Sequence, residues 1–283
     1  MEIPPDAFER LDIVFKIFSF LFGAVVGSFL NVVIYRLPRK LSIVSPPSHC
    51  ASCNAKIKFY DNIPILSYFI LRGKCRSCGA NFSPRYMLVE LLTAVLALTL
   101  YYRYALSIQT FAFFVFLCFV IAIIFTDLET WLIPQSLSLP GIVAGVTFNF
   151  ALGWKEGLFA LAGAAGALVL FLGVGYLWYL IRKVEALGGG DVWFFAMLCA
   201  WLKLEALPMI LVLSTIQGLV IGAPLARFGV FQKIIPLETE KDGFAPARNH
   251  IPFGPFLGLA GIEILFFGDE IINWYIAFSL AGN

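Results

Sequence analysis

Long apolar runs separated by short polar stretches dominate this chain. Most of the runs approach the ~20 residues that an α-helix needs to cross the hydrocarbon core of a bilayer. The pattern predicts an all-α polytopic membrane protein with about eight transmembrane helices, of which the sixth is short. The predicted spans are Ile13–Tyr35, Tyr86–Tyr104, Thr110–Phe125, Pro134–Leu152, Gly157–Ile181, Asp191–Leu202, Ala206–Phe228 and Phe253–Ala277. We expect Asp127 to Leu132 to connect the third and fourth spans, and the last span to break at Gly268-Asp269-Glu270.

The only sizeable polar region is Leu41–Pro84, here called the four-Cys segment, which lies between helices 1 and 2. It carries two pairs of cysteines, Cys50 with Cys53 and Cys75 with Cys78. Two C-x-x-C turns can close a tetrahedral thiolate site that leaves no position open for catalysis. Because so short a segment cannot bury enough core to fold alone, metal closure would supply its stability. The spacing therefore predicts a structural Zn²⁺ site, with a redox dithiol, idle thiols or competition from His49 as alternatives.

Composition excludes a soluble domain of this size. The 283 residues are 60% hydrophobic and 13% charged, with a mean hydropathy of +0.87, so the chain requires a lipid bilayer. The net charge of +2 gives no reason to expect a nucleic-acid partner. Of the 20 Lys and Arg residues, about fifteen lie on the side that holds the four-Cys segment. The charge asymmetry predicts that this segment lies in the cytoplasm.

Two carboxyl groups stand in strongly apolar surroundings. Asp127 follows an apolar run, and Asp191 follows Gly188, Gly189 and Gly190. A carboxylate at mid-membrane depth costs roughly 2.5–3.5 kcal/mol, so such residues are usually functional. With the predicted orientation, helix 3 runs inward to Asp127 and helix 6 runs outward from Asp191, which places both acids near the cytoplasmic face.

Two neighbouring carboxyl groups share one proton, since they do not both ionise readily. The ionised member can then act as a general base on water while the protonated member donates to a peptide carbonyl. The structural alternatives are that Asp191 is a helix N-cap and that Asp127 marks the membrane interface. Glu129 is the nearest rival acid, but two residues along a helix it points to another side.

The run from Asp127 to Pro134 (DLETWLIP), followed by Gly188 to Asp191 (GGGD), resembles the type IV prepilin peptidases, which are intramembrane aspartic proteases of the GxGD kind. Gln135 and Trp193 depart from residues that are common in that family. The resemblance extends from Gly27 to about Gly261. Three further runs are similar to the N-terminal domain of bifunctional members, namely Gly27–Pro38 (GSFLNVVIYRLP), Tyr60–Tyr68 (YDNIPILSY) and Ser83–Glu90 (SPRYMLVE).

The resemblance implies that Asp127 and Asp191 are a catalytic pair. It implies an enzyme that removes leader peptides from type IV prepilins or type II secretion pseudopilins at the cytoplasmic membrane face. It also implies N-methylation of the new N-terminus from S-adenosylmethionine. Residues 1–104 would then be the methyltransferase part and residues 105–283 the peptidase part.

The residues that bind the methyl donor are not identified by any sequence pattern, since no Gly-rich strand-loop-helix motif is present. Asn31, Arg36 and Glu90 are polar residues at span ends that are candidates for lining a donor pocket. The alternative for each of them is interfacial anchoring of a membrane helix.

The last helix begins in a segment interrupted by proline and glycine, Asn249–Phe256 (NHIPFGPF). Such a start can leave backbone groups free to pair with an extended peptide, although proline near a helix start is also ordinary.

Two other hypotheses are compatible with a membrane protein that contains buried acids. An ion-coupled transporter would use the acids to carry ions, but the sequence lacks the internal inverted repeat that many transporters have. A zinc-stabilised membrane scaffold would explain the cysteines and leave both acids without a role.

Overall fold

The computed structural model describes residues 5–183, 188–231 and 251–281. Asn249 and His250, which begin the predicted NHIPFGPF segment, lie outside the described residues. The described chain is α-helical and its only β-type pairings are two isolated bridges. Its helices are α1 Pro5–Arg36, α2 Leu66–Ile70, α3 Arg85–Tyr104, α4 Ile108–Thr130, α5 Gln135–Leu152, α6 Trp154–Arg182, α7 Gly189–Leu202, α8 Ala206–Gln217, α9 Ala223–Arg227 and α10 Gly254–Ala281.

The predicted all-α membrane fold is confirmed. Six helical stretches of the described chain are long and apolar enough to cross a membrane: Glu9–Arg36, Arg85–Tyr104, Ile108–Thr130, Gln135–Leu152, Trp154–Arg182 and Ala206–Arg227. The predicted sixth span is the short apolar helix α7, and α10 occupies the place of the predicted eighth. The chain is a multi-pass membrane protein.

Two predicted details of the helices are wrong. Helix α4 continues through Asp127 to Thr130, so Asp127 lies inside the helix and not in a connection. The turn comes at Trp131, which has a φ of 58°. Helix α10 is continuous through Gly268, because one glycine costs a helix only about 1 kcal/mol and the apolar sequence resumes on both sides.

The chain divides into two compact units, Met1–Ala122 and Ile123–Asn283, here called the N-terminal and C-terminal units. In the N-terminal unit α1 packs closely against α3. A Cβ atom at Gly23 would lie 2.7 Å from Cβ of Ala97, and one at Gly27 would lie 2.8 Å from Cα of Glu90. Small residues thus let the two backbones approach, as is common between membrane helices. The functional division predicted after residue 104 stays a prediction.

In the C-terminal unit, α5 holds the carboxyl end of α7. The amide of Asn149 donates to the carbonyl oxygens of Ala200 and Trp201, both at 3.2 Å. The indole of Trp201 donates in turn to the carbonyl oxygen of Gly141 at 2.8 Å. These buried bonds satisfy helix-end carbonyls that water cannot reach, and they fix α7, which carries Asp191 at its other end.

Helix α8 passes through a five-residue π-helical segment, Gly218–Gly222, into α9. This segment packs on the start of α10, since a Cβ atom at Gly222 would lie 2.9 Å from side-chain atoms of both Ile251 and Phe256. The amide of Gln217 also donates to Oε2 of Glu263 on α10 at 2.6 Å. These contacts fix the position of Gly254, the first residue of α10.

Candidate functional site

Asp127 is a buried acid near the end of α4, with 5% of its surface exposed. Its Oδ2 accepts a hydrogen bond of 3.1 Å from the backbone N–H of Gly254. A Cβ atom at position 254 would lie 2.6 Å from that same oxygen. Only glycine therefore allows the backbone to approach the carboxyl group this closely. The sequence predicts that this segment can leave backbone groups free, but it does not reveal that one of these groups bonds to Asp127.

Asp191 is the third residue of α7, and the N-cap position of the helix is occupied by Gly188. The alternative that Asp191 itself caps the helix is therefore wrong. Oδ1 of Asp191 is buried and has no hydrogen-bond partner among the described residues. Since buried carboxylate oxygens are normally bonded, this atom is available to a water or a substrate.

One side chain, Ile133, contacts the backbone beside each acid. A Cβ atom at Gly190 would lie 2.6 Å from Cβ of Ile133, and one at Gly254 would lie 3.0 Å from its Cδ1. The structure thus brings both acids into one neighbourhood of the C-terminal unit, where a carboxyl pair can share a proton and perform acid–base chemistry. Glu129 is two residues further on, about 200° around α4 from Asp127.

The four predicted metal ligands also come together. The Sγ atoms of Cys50, Cys53, Cys75 and Cys78 all lie within 4.8 Å of one another. Those of Cys50 and Cys78 are 3.8 Å apart. A tetrahedral site with metal–sulfur bonds of about 2.3 Å has sulfur–sulfur distances of about 3.8 Å. The cluster could therefore hold a metal ion, and His49 is not part of it.

The two cysteine pairs fold as similar turns. The N–H of Asn54 donates to the carbonyl oxygen of Cys50 at 2.8 Å, and that of Gly79 donates to Cys75 at 2.9 Å. Asn54 and Gly79 both have positive φ, 56° and 74°, a conformation that asparagine and glycine adopt most easily. The sequence thus builds the same ligand-presenting turn twice.

Backbone amides in the first turn favour the ionised form of a ligand. The N–H groups of Cys53 and Ser52 bond to the sulfur of Cys50 and lower the pKa of that thiol to about 6. Because the thiolate is the form that binds a metal, the turn prepares Cys50 as a ligand.

A cavity of about 340 Å³ lies in the N-terminal unit between α1, α3 and the four-Cys segment. Asn31, Arg36 and Glu90, which the sequence offered as candidates for a donor pocket, all line it. The four-Cys segment adds Asp61 and Asn54 to the lining, and no sequence pattern identifies these two residues as part of a pocket. The guanidinium of Arg76 bonds both carboxylate oxygens of Asp61 and lowers the pKa of that acid, so Asp61 is ionised at neutral pH.

Comparison with known proteins adds family relationships. The model of the bacterial peptidase A24 N-terminal domain matches residues 21–104, and that of the type IV leader peptidase family matches residues 114–223. The chain is 34% identical to the prepilin leader peptidase/N-methyltransferase of Myxococcus xanthus, over 95% of this chain and 96% of the relative. Proteins of the same name from Legionella pneumophila and Aeromonas hydrophila are 36% and 35% identical, over 91% of this chain and 93% and 92% of the relatives. No solved structure gives a significant match.

Proposed function

This chain belongs to the type IV leader peptidase family, and from that premise we propose that Asp127 and Asp191 are its two catalytic acids. The enzyme is an aspartic leader peptidase that cleaves type IV prepilins or type II secretion pseudopilins. The observation that carries the assignment is that Ile133 contacts the backbone beside both acids, of which Asp127 is buried and Asp191 has an Oδ1 with no hydrogen-bond partner in the part of the chain that the structure describes. Neither the transporter nor the scaffold hypothesis gains support from the relatives.

Cleavage needs one ionised and one protonated carboxyl group. The ionised acid takes a proton from water as the water oxygen attacks the scissile carbonyl carbon, and the protonated acid gives its proton to the carbonyl oxygen. The tetrahedral intermediate then breaks at its C–N bond. The leaving nitrogen takes a proton from the acid that accepted one from water, and a proton from the intermediate restores the other acid, so the pair is ready for another turnover.

A cleavage assay on a pilin precursor tests this assignment. Asp127→Asn and Asp191→Asn are each expected to abolish cleavage, since asparagine can act neither as base nor as acid. Asp269→Asn is a matched control, because Asp269 is an exposed acid of the same unit. Full activity in either of the first two variants would remove the pair from the mechanism.

We infer that the four-Cys segment and both acids lie on the cytoplasmic side of the inner membrane, because most Lys and Arg residues lie on that side of the predicted topology. A membrane-impermeant thiol reagent tests the orientation. Lys155→Cys should react in intact spheroplasts, whereas Lys58→Cys should react only after the membrane is opened. The reverse labelling pattern would overturn the orientation.

We further propose that the cysteine cluster binds Zn²⁺. Four thiolates form a soft donor set of the kind that zinc occupies in structural sites. Bound there, the ion would join the two halves of the four-Cys segment and would have no open position for a reacting water. Metal analysis of the purified protein tests this: about one zinc per chain is expected, and iron in its place would refute it.

The names of the relatives also support N-methylation of the new N-terminus, with S-adenosylmethionine as the methyl donor. The N-terminal amine of the cleaved pilin would have to be unprotonated, since its electron pair forms the bond to the methyl carbon. The bond between that carbon and the sulfur of the donor would break, and its electron pair would remain on the sulfur. The proton released from the nitrogen passes to water. The mass of the mature pilin tests the proposal, because an active peptidase that leaves it unmethylated with donor present would refute this second activity.

A further inference from the structure

The cavity of the N-terminal unit has the size and lining of a small-molecule site. Its volume of about 340 Å³ lies within the range of ligand pockets, about 300–1,000 Å³. Helices α1 and α3 supply one part of the lining and the four-Cys segment the rest. The cavity lining combines charged and amide side chains with aromatic rings. The aromatic residues include Tyr35, Tyr68, Phe82 and Tyr86.

Asn31 offers the cavity an unused acceptor. The residue is 4% exposed, and its Nδ2 donates to the carbonyl oxygen of Tyr86 at 2.9 Å. Its Oδ1 has no hydrogen-bond partner among the described residues. A buried amide oxygen without a partner is costly, so a ligand that carries an N–H or O–H donor would satisfy it.

Glu90 adds an acid whose position is fixed by a backbone contact. Its Oε2 accepts a hydrogen bond of 2.7 Å from the backbone N–H of Ile65. Ile65 has a φ of 64°, which is strained for a β-branched residue and persists only where the surrounding structure holds it. Strain maintained by a carboxyl group beside a cavity is typical of a binding site.

Arg36 contributes the opposite charge. The residue is 7% exposed, and its described hydrogen-bond partners are the carbonyl oxygens of Ser42 and Pro46. These neutral partners hold the guanidinium in place without neutralising it, so an anionic group in the cavity would gain from the charge.

We propose that this cavity binds S-adenosylmethionine. The ligand carries a carboxylate that suits Arg36, an ammonium and a sulfonium that suit Glu90, and N–H donors that suit Asn31. Its adenine can stack on the aromatic lining, and the sulfonium can lie over an aromatic ring. The assignment rests on the proposed methyltransferase function and adds where the donor binds and which residues hold it.

Equilibrium dialysis of tritiated S-adenosylmethionine with the full-length enzyme in detergent tests the site. Glu90→Gln removes the charge but keeps an acceptor for Ile65, and Asn31→Leu removes the free amide oxygen at similar size. Each is expected to weaken binding about tenfold or more. Thr99→Val is the matched control on α3, because Thr99 is exposed and does not line the cavity; its affinity should equal that of the wild type.

Leader cleavage checks the folding of the C-terminal unit, in which both proposed catalytic acids lie, and an unchanged thermal unfolding profile checks that of the N-terminal unit. Cavity variants that pass both checks but no longer bind the donor support the site, and cavity variants that bind it normally overturn it. Absence of binding in the wild type would instead overturn the methyltransferase function itself. Photo-crosslinking of the labelled donor to the wild-type chain needs no variant: label within residues 28–90 supports the assignment, and label confined to residues 123–283 overturns it.

Discussion

The backbone N–H of Gly254 donates a hydrogen bond to Oδ2 of Asp127 across 127 residues of sequence, at 3.1 Å. An oxygen that accepts an N–H is held as an acceptor, so any proton on this carboxyl group belongs on the other oxygen. The bond therefore fixes both the orientation of Asp127 and the side on which it carries a proton. Gly254 is a positioning residue for the proposed catalytic pair.

Gly254→Ala is expected to lower the kcat/KM of leader cleavage by about 10- to 100-fold, because displacement of a reacting group by about 1 Å has effects of that size. The new Cβ atom would lie 2.6 Å from Oδ2 of Asp127 and 3.0 Å from Cδ1 of Ile133, so the carboxyl group must move. Steady-state cleavage of a pilin precursor measures the effect.

Gly173→Ala is the matched control for this substitution. Gly173 lies in α6 of the same unit, and a Cβ atom there would meet nothing within 4 Å. The control should be fully active and slightly more stable, since alanine favours a helix over glycine. Equal activity of the two alanine variants would show that the Gly254 contact has no part in positioning Asp127.

The three glycines before Asp191 should differ in their tolerance of alanine. A Cβ atom at Gly190 would lie 2.6 Å from Cβ of Ile133 and 3.1 Å from its carbonyl oxygen, whereas one at Gly189 would meet nothing within 4 Å. Gly190→Ala is therefore expected to lose most leader cleavage, and Gly189→Ala to retain it. At Gly188 the new atom would meet only the movable carboxyl group of Asp191, at 2.8 Å, so an intermediate loss is expected.

Cleavage rates of the three alanine variants, measured at equal folded concentration, provide the test. The order of activity should be Gly189→Ala first, then Gly188→Ala, then Gly190→Ala. This order would give a physical reason for the spacing of a GxGD motif, in which the middle position is free to vary. Loss of activity in Gly189→Ala alone would contradict the packing around Ile133.

The sequence predicts the helices of this protein better than it predicts its site, for physical reasons. Apolar runs of membrane-spanning length leave the backbone no alternative to a helix, so their existence is evident from the pattern. The end of α4 is not evident from the pattern, because Asp127 and Glu129 resemble residues of a polar connection, whereas the helix continues to Thr130.

The partner of Asp127 could not be predicted either. Every residue except proline has a backbone N–H, so the sequence does not show which one bonds to Asp127. Gly254 is also 127 residues away from Asp127 along the chain. The cavity shows the same limit: Asn31, Arg36 and Glu90 were visible as polar residues in apolar helices, whereas Asp61 enters the lining only through the fold of the four-Cys segment.

Leader cleavage should have a bell-shaped dependence on pH if the two acids share a proton. At low pH both carboxyl groups are protonated and no base is present; at high pH both are ionised and no acid remains. Activity should therefore fall on both sides of an optimum in kcat/KM. Asp269→Asn should leave both limbs in place, and a profile with only one limb would argue against paired carboxyl groups.

Loss of the metal should affect donor binding before leader cleavage. The turn that presents Cys50 and Cys53 also supplies Ala51 and Asn54 to the wall of the cavity, whereas Asp127 lies in the other unit. Chelation or Cys53→Ser is therefore expected to weaken S-adenosylmethionine binding about tenfold or more and to lower the thermal unfolding temperature, because metal binding stabilises such a segment.

Cys118→Ser is the matched control for the loss of a thiol, since Cys118 lies in α4 outside the cluster and a serine hydroxyl in a helix can bond the preceding turn. Zinc added back to the chelated wild type should restore donor binding, and zinc added to Cys53→Ser should not restore it fully. If chelation abolished cleavage while donor binding persisted, the metal would stabilise the peptidase and not the wall of the cavity. The order in which the two activities fail thus identifies the part of the protein that the cysteine cluster supports.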